Sequence, residues 1–187
     1  MNKFRFSLLF ILVLQSYQAW SYSESCQLVA QMAGNQEYKQ QPLRVATITH
    51  PSEIPAEWNM NLIEQHGAWS IFQTNQAWFH KETCAPLSKR NEANGRNVEF
   101  MPVILNKMTG SNAVITGAFI IKTYRTRDLE KVMQRYGFKE LSPLPNPQSM
   151  IVDVKPTNSY DLLIRALDRD KDVDLAMPLL SEPRKKP

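Results

Sequence analysis

The chain has 187 residues, of which 43% are hydrophobic and 21% charged, and its formal net charge is +4. This length and apolar content support one large globular domain or two small ones. Lys3 and Arg5 lie in a predicted signal sequence, and their removal leaves a mature charge of +2. That balance excludes the strongly basic surface typical of nucleic-acid-binding proteins.

The N-terminus has the features of a secretory signal. Basic residues precede a short apolar run at 8–14, and Ala19 and Ser21 are small residues at the positions that signal peptidase reads. This run is too short for a membrane-spanning helix, which needs about twenty residues. We therefore predict a signal peptide at 1–21 and a secreted or periplasmic mature protein without a stable membrane anchor; an uncleaved anchor is the alternative.

Two cysteines, Cys26 and Cys84, remain in the mature chain. An oxidising compartment allows one disulfide to form and persist, so we predict that they are paired. The alternative is a catalytic thiol at Cys84 assisted by His80, but the sequence offers no third group to orient the histidine. We expect no enzyme activity.

Residues 22–111 are predicted to form a small mixed α/β domain. Its tryptophans, Trp58, Trp69 and Trp78, are expected in the core. Its histidines match no common zinc spacing, so no metal or cofactor site is predicted. The expected elements are a helix at 27–32, a strand at 43–49, a loop at 50–55, a helical turn at 59–65, strands at 68–72 and 76–80, a loop at 89–96 and a strand at 98–105; the histidines are His50, His66 and His80.

Residues 112–178 predict the order strand, helix, strand, strand, helix, strand. Apolar stripes at helical spacing mark the helices, and Gly137 suits the end of the first. Alternating apolar residues mark the strands, and Val173, Leu175 and Met177 alternate in the last. This order is the split βαβ plan. The predicted fold class is α+β, with a ferredoxin-like (βαββαβ) C-terminal domain and a small mixed N-terminal domain.

The closing sequence Val-Asp-Leu-Ala-Met-Pro, residues 173–178, and the order of elements before it carry a resemblance. They resemble the propeptide domain of subtilisin-like serine proteases, whose last strand commonly reads Val, acidic, apolar, Ala, any residue, Pro. In that family the domain precedes a catalytic domain as an intramolecular chaperone and inhibitor. The resemblance implies a stand-alone chaperone and inhibitor that acts on a separate protease, without a cofactor.

The resemblance also implies two contact regions. The segment 179–187 is expected to extend into the protease cleft as an added strand, its basic residues filling the acidic pockets of a kexin-like protease. The strand at 118–121 is apolar on both faces, whereas two helices cover only one, so the other face needs a partner. The predicted protease-binding residues are Phe119, Ile121, Pro178, Leu179, Leu180, Glu182, Arg184, Lys185 and Lys186.

Other readings stay open at this point. The C-terminal segment has the composition of an ordinary frayed chain end, and the N-terminal region of the same chain is an alternative cover for the apolar strand. The alternative function is an envelope adaptor or structural module with no protease partner. An acylphosphatase-like enzyme would need an anion-binding loop of Arg and Asn that the sequence does not display.

Overall fold

The computed structural model describes residues 26–33, 38–79, 83–155 and 158–184. The predicted signal peptide lies outside these ranges, as do His80, Lys185 and Lys186. Within them the elements, in chain order, are α1 (Gln27–Met32), β1 (Tyr38–Thr47), 3-10 helices at Pro51–Glu53 and Ala56–Trp58, β2 (Met60–His66), β3 (Trp69–Thr74), β4 (Leu87–Arg90), β5 (Asn97–Asn106), β6 (Asn112–Thr123), α2 (Thr126–Tyr136), β7 (Lys139–Pro143), β8 (Ser149–Asp153), α3 (Tyr160–Asp168) and β9 (Val173–Ser181).

The strands of the described ranges form one nine-stranded sheet in which the pairs are antiparallel. Its order is β2-β3-β1-β5-β6-β8-β7, with β4 beside β5 and β9 beside β6. Strand β6 connects the two halves. Its first residues, 112–114, pair with β5, its later residues, 118–122, pair with β8, and β9 pairs with both parts.

The predicted fold class is wrong. The strands of 112–181 are not a separate ferredoxin-like sheet beside a small mixed domain, because Val114 of β6 pairs with Val103 of β5. They therefore continue the sheet that β1 to β5 begin, and the molecule is mostly antiparallel sheet with few helices. The boundary predicted between 111 and 112 falls where the turn after β5 enters β6.

Three N-terminal elements also differ from expectation. The predicted helical turn at 59–65 is strand β2, which pairs with β3 through a hairpin whose turn contains Gly67 at a φ of 56°. Residues 76–79 are not a strand, and β4 begins just before the predicted loop at 89–96. For β2 and β4, the partner strands β3 and β5 supply hydrogen bonds that local composition does not reveal.

The sheet has a hydrophobic core on each side. The larger core lies under the helices and joins Phe119, Ile121 and Val152 to Ile164 and Leu167 of α3. The smaller core lies on the other side of the N-terminal half, and its members are Val45, Phe72, Phe79, Val98 and Phe100, with Trp58 and Trp78 packed against them. Trp69 packs against the larger core, so the prediction that the tryptophans belong to the core is confirmed.

A break in β6 at Gly117 lets the strand leave β5 and continue between β8 and β9. Gly117 has a φ of +77°, and the β6–β9 register shifts between Ile115 and Phe119. A Cβ atom on Gly117 would lie 2.9 Å from the hydroxyl of Tyr160 and 3.2 Å from Cε of Met101. Glycine is required at this position by backbone conformation and by space.

We predict that Gly117→Ala destabilises the protein by about 2–3 kcal/mol, since it combines left-handed strain with overpacking. Gly110→Ala is the matched control, because Gly110 has a φ of +70° but no atom within 4 Å of the added Cβ. The control should cost about 1 kcal/mol, the conformational part alone. Urea unfolding of both variants measures the difference, and equal destabilisation would show that the contact with Tyr160 carries no cost.

The predicted disulfide is present between Cys26 and Cys84, whose Cα atoms are 5.0 Å apart. It ties α1 to the segment before β4. The amide of Val29 in α1 donates to the carboxylate of Asp161 in α3 at 3.1 Å, which seats α1 against the larger core. The disulfide is compatible with a secreted or periplasmic protein.

The double variant Cys26→Ser, Cys84→Ser is expected to lose about 4 kcal/mol of stability, the chain-entropy value for a loop of this size. The separation of 58 residues makes the closed loop long. Urea unfolding of exported protein measures the loss, with reduced wild type as the control. Thiol labelling of both cysteines in folded, exported wild-type protein would contradict the pairing.

Candidate protein-docking face

The half of the sheet formed by β7, β8, β6 and β9 has one side covered by helices and one side open. Ile120 pairs across the sheet with Ile151 of β8 and with Met177 of β9. Directly paired residues point to the same face, so these three side chains form an apolar row across three strands. Each is partly exposed. We call this side, with Lys122 and Leu175 at its margin, the open face.

Charged groups border the open face. Lys122 pairs with Leu175 across the sheet and forms an ion pair with Asp174. On the opposite side of the row from Lys122, along the direction of the strands, Nζ of Lys155 is 3.1 Å from Oε2 of Glu99. This carboxylate raises the pKa of Lys155. An apolar centre with a charged rim is typical of protein-docking surfaces.

Two of the predicted contact residues lie on the wrong side of the sheet to bind a partner. Phe119 and Ile121 are fully buried in the larger core, and the ring of Phe119 lies 5.8 Å from that of Tyr160. Side chains alternate along a strand, so the residue that faces outward between them is Ile120. The alternation already present in the sequence could have identified it.

The last strand shows a second shift from the expected pattern. Strict alternation predicts that Val173, Leu175 and Met177 share one face of the strand. A register shift between Lys122 and Thr123 changes the phase, so that Val173 and Ala176 are buried whereas Leu175 is 39% exposed. Strict alternation therefore cannot assign the residues of an irregular strand to the two faces of the sheet.

The C-terminal segment is anchored rather than free. Strand β9 runs to Ser181, which pairs with Val114, and Leu180 pairs with Ile115 and packs against the larger core. Leu179 also lies within β9, with its carbonyl accepting from the hydroxyl of Thr116 at 2.8 Å. Pro178 is buried. The extended tail, predicted at 179–187, therefore begins only after Ser181, where β9 ends.

Two side chains hold the end of this segment. The hydroxyl of Tyr38 donates to the carboxylate of Glu182, and burial together with this acidic partner raises the pKa of Tyr38 to about 12. Nε2 of His66 lies 3.1 Å from the carbonyl oxygen of Ser181. Beyond these contacts Arg184 is exposed. Sequence reasoning identified neither Tyr38 nor His66, because both lie far from the segment along the chain.

The start of β9 is held by ion pairs with α2. Arg135 contacts Asp170 and Asp172, and the hydroxyl of Tyr136 donates to Asp170 at 3.0 Å. Burial by itself would raise the pKa of Asp170, but the hydrogen bond from Arg135 outweighs it, and the pKa lies below its ordinary value. In the first turn of α2, Arg125 lowers the pKa of Asp128 by hydrogen bonding. These contacts position the strand that carries Leu175 and Met177.

Other site types find no support in the described ranges. No three His, Cys, Asp or Glu side chains of these ranges are grouped so as to hold a metal ion. None of the helices found there has the length and apolar content that a membrane-spanning helix requires. Comparison of the chain with protein-family models, curated proteins and solved structures found no match.

Proposed function

We propose that this chain is an exported, non-enzymatic protein that binds a subtilisin-like serine protease, assists its folding and blocks its active site. The observation that carries the proposal is the row of Ile120, Ile151 and Met177 on the open face. The disulfide and the predicted signal peptide support export. The closing Val173 to Pro178 pattern supports the choice of partner through its resemblance to subtilisin propeptides.

The dimensions of the open face suit packing against helices. Neighbouring strands are about 4.8 Å apart, so a row across three strands is about 10 Å wide. An α-helix with its side chains is about 10 Å across. In the propeptide family the partner contributes a pair of surface helices, and the apolar row has the width of one of them, which would pack on the open face between Lys122 and Lys155.

Folding assistance follows from the same contact. A partner with a slow, long-range topology folds faster when part of its surface is held in the native arrangement. The open face belongs to a continuous sheet whose other side is packed against α2 and α3. Its backbone is therefore ordered before the partner binds, and little conformational entropy is lost on docking.

Inhibition is assigned to the residues after the anchored part of the C-terminal segment. With Glu182 held by Tyr38, residues 183–187 can span at most about 17 Å. Arg184, Lys185 and Lys186 lie in this stretch and are the residues proposed to enter acidic pockets of a kexin-like cleft. Leu179 and Leu180 stay in the sheet and support the segment from behind.

An envelope adaptor or structural module without a protease partner is the second candidate. The anchoring of Ser181 and Glu182 favours it, because a segment built to fill a cleft needs less attachment to its own sheet. Coexpression separates the two candidates. A subtilisin-like protease of the source organism should mature to active enzyme only with this chain present if the chaperone function holds.

We expect Leu175→Glu to weaken protease binding at least tenfold, about 1.4 kcal/mol, because it places a charge at the margin of the open face, directly beside the apolar row. Leu162→Glu is the matched control. Leu175 and Leu162 are both exposed leucines, but Leu162 lies on α3, away from the open face. Biolayer interferometry with the active-site-blocked protease measures both affinities.

The pattern of losses identifies the docking surface. Weaker binding by Leu162→Glu alone would place the contact on the helix side, and equal affinities for both variants would remove the open face from the proposal. Absence of any complex with wild-type protein would leave the adaptor function.

Changing Arg184, Lys185 and Lys186 to alanine is expected to raise the inhibition constant at least tenfold, and less so at high salt, since screening weakens these contacts. The control replaces Arg127, Arg169 and Lys171, three exposed basic residues elsewhere, and removes the same charge. Inhibition is measured at two salt concentrations, with circular dichroism to verify folding. Equal inhibition by both triple variants would mean that the segment does not enter the cleft.

A further inference from the structure

His66, the last residue of β2, bridges two acceptors. Its Nδ1 is 3.0 Å from Oε1 of Glu64, and its Nε2 is 3.1 Å from the carbonyl oxygen of Ser181 in β9. The side chain of His66 is only 8% exposed. Neither a carboxylate nor a carbonyl oxygen carries a proton to give, so the imidazole must donate in both contacts.

A neutral imidazole cannot make both bonds. It has one N–H and one nitrogen lone pair, whereas the imidazolium ion has two N–H groups. The arrangement around His66 therefore needs the charged form. When the proton leaves, one of the two contacts becomes a lone pair facing an oxygen.

The contact with Ser181 is the one that is lost. Glu64 is held by its other oxygen, which accepts from Nδ2 of Asn112 on β6, and Asn112 in turn accepts from Arg44 on β1. A hydrogen bond to a carboxylate is roughly twice as strong as one to a neutral acceptor. The remaining proton of His66 thus stays on Nδ1, and Nε2 repels the carbonyl oxygen of Ser181.

We infer that His66 is a proton-operated latch: in its charged form it holds the end of β9 at Ser181, and on losing its proton it gives up this contact. The pairing of Ser181 with Val114 and the hydrogen bond from Tyr38 to Glu182 then hold the end of the segment alone. The segment is therefore more firmly held below the pH at which His66 loses its proton than above it. The latch contributes order only while the imidazole is charged.

The neighbouring charged and titratable groups leave this direction unchanged. Glu64 on β2 and Glu182 in the C-terminal segment favour the imidazolium ion, whereas Arg44 on β1 opposes it through Glu64 and Asn112. Tyr38 on β1, bound to Glu182, stays protonated near neutral pH because its pKa is about 12, so its contact with Glu182 does not change when His66 loses its proton.

Weaker holding of the segment bears on inhibition if the proposed function holds, and on that point alone the inference rests on it. Loss of the His66 contact would loosen Ser181 and Glu182, from which the residues proposed to enter the cleft extend. The latch itself needs no protease and is tested without one.

The chain offers a variant that removes the pH dependence of the latch. In Glu64→Gln the amide oxygen can still accept from Asn112, while the amide nitrogen donates to Nδ1 of His66. A neutral imidazole then accepts at Nδ1 and donates from Nε2 to the carbonyl of Ser181. The imidazolium ion also donates from Nε2, so the contact with Ser181 should persist on both sides of the His66 titration in this variant. His66→Phe, which has no donor, should leave the segment loose at both pH values.

The test is NMR of 15N-labelled protein at two pH values on either side of the His66 titration, which is followed by the ring Cε1–H shift. In wild type, the backbone order parameters of 181 and 182 are expected to fall measurably from about 0.85, the value of rigid backbone, as His66 loses its proton. Residues 173–177 of β9 are the internal control and should not change.

Two results would contradict the latch. Equal order at both pH values in wild type, with the His66 ring seen to titrate, would overturn the latch. So would the same fall in Glu64→Gln as in wild type, since the amide should abolish it. Failure of protease binding would leave the NMR result unaffected, so the proposed function and the latch can fail separately.

Discussion

The pairing of β6 with three other strands is the constraint on which the rest of the structure depends. One strand of twelve residues bonds first to β5 and then to β8 on one edge, and to β9 on the other. It can change partners because Gly117 has the left-handed backbone that a bulge requires and leaves room for the Tyr160 ring. The larger core, the open face and the anchored C-terminal segment all take their positions from this strand.

Local patterns predict the elements near β6 well and their assembly poorly. The stripe of Leu129 and Val132 and the left-handed Gly137 define α2 within the sequence, and the structure has the helix there. Whether β5 pairs with β6 depends on residues of both strands meeting in space, which neither strand shows alone. Strand β2 illustrates the same limit, because Met60 to His66 has mixed polarity and becomes a strand only beside β3.

The candidate site, too, could be predicted from the sequence only where local alternation decides which face a residue occupies. The alternation that buries Phe119 also places Ile120 on the opposite face, and a correct reading of that strand needs nothing beyond its own sequence. Leu175 could not be placed, since the register shift beside Thr123 alters the phase of β9. The contact of His66 with Ser181 spans 115 residues of sequence and follows only from the tertiary fold.

Four strands pair on one side only within the described ranges, and each is a poor template for another strand. Strand β4 has only four residues, a bulge interrupts β2 between Leu62 and Glu64, β7 has a bulge and ends at Pro143, and β9 contains Pro178. Short edges, irregularities and proline residues prevent sheets from joining edge to edge. A sheet of this size can therefore resist association by strand addition, which leaves face-to-face packing as its route to a partner.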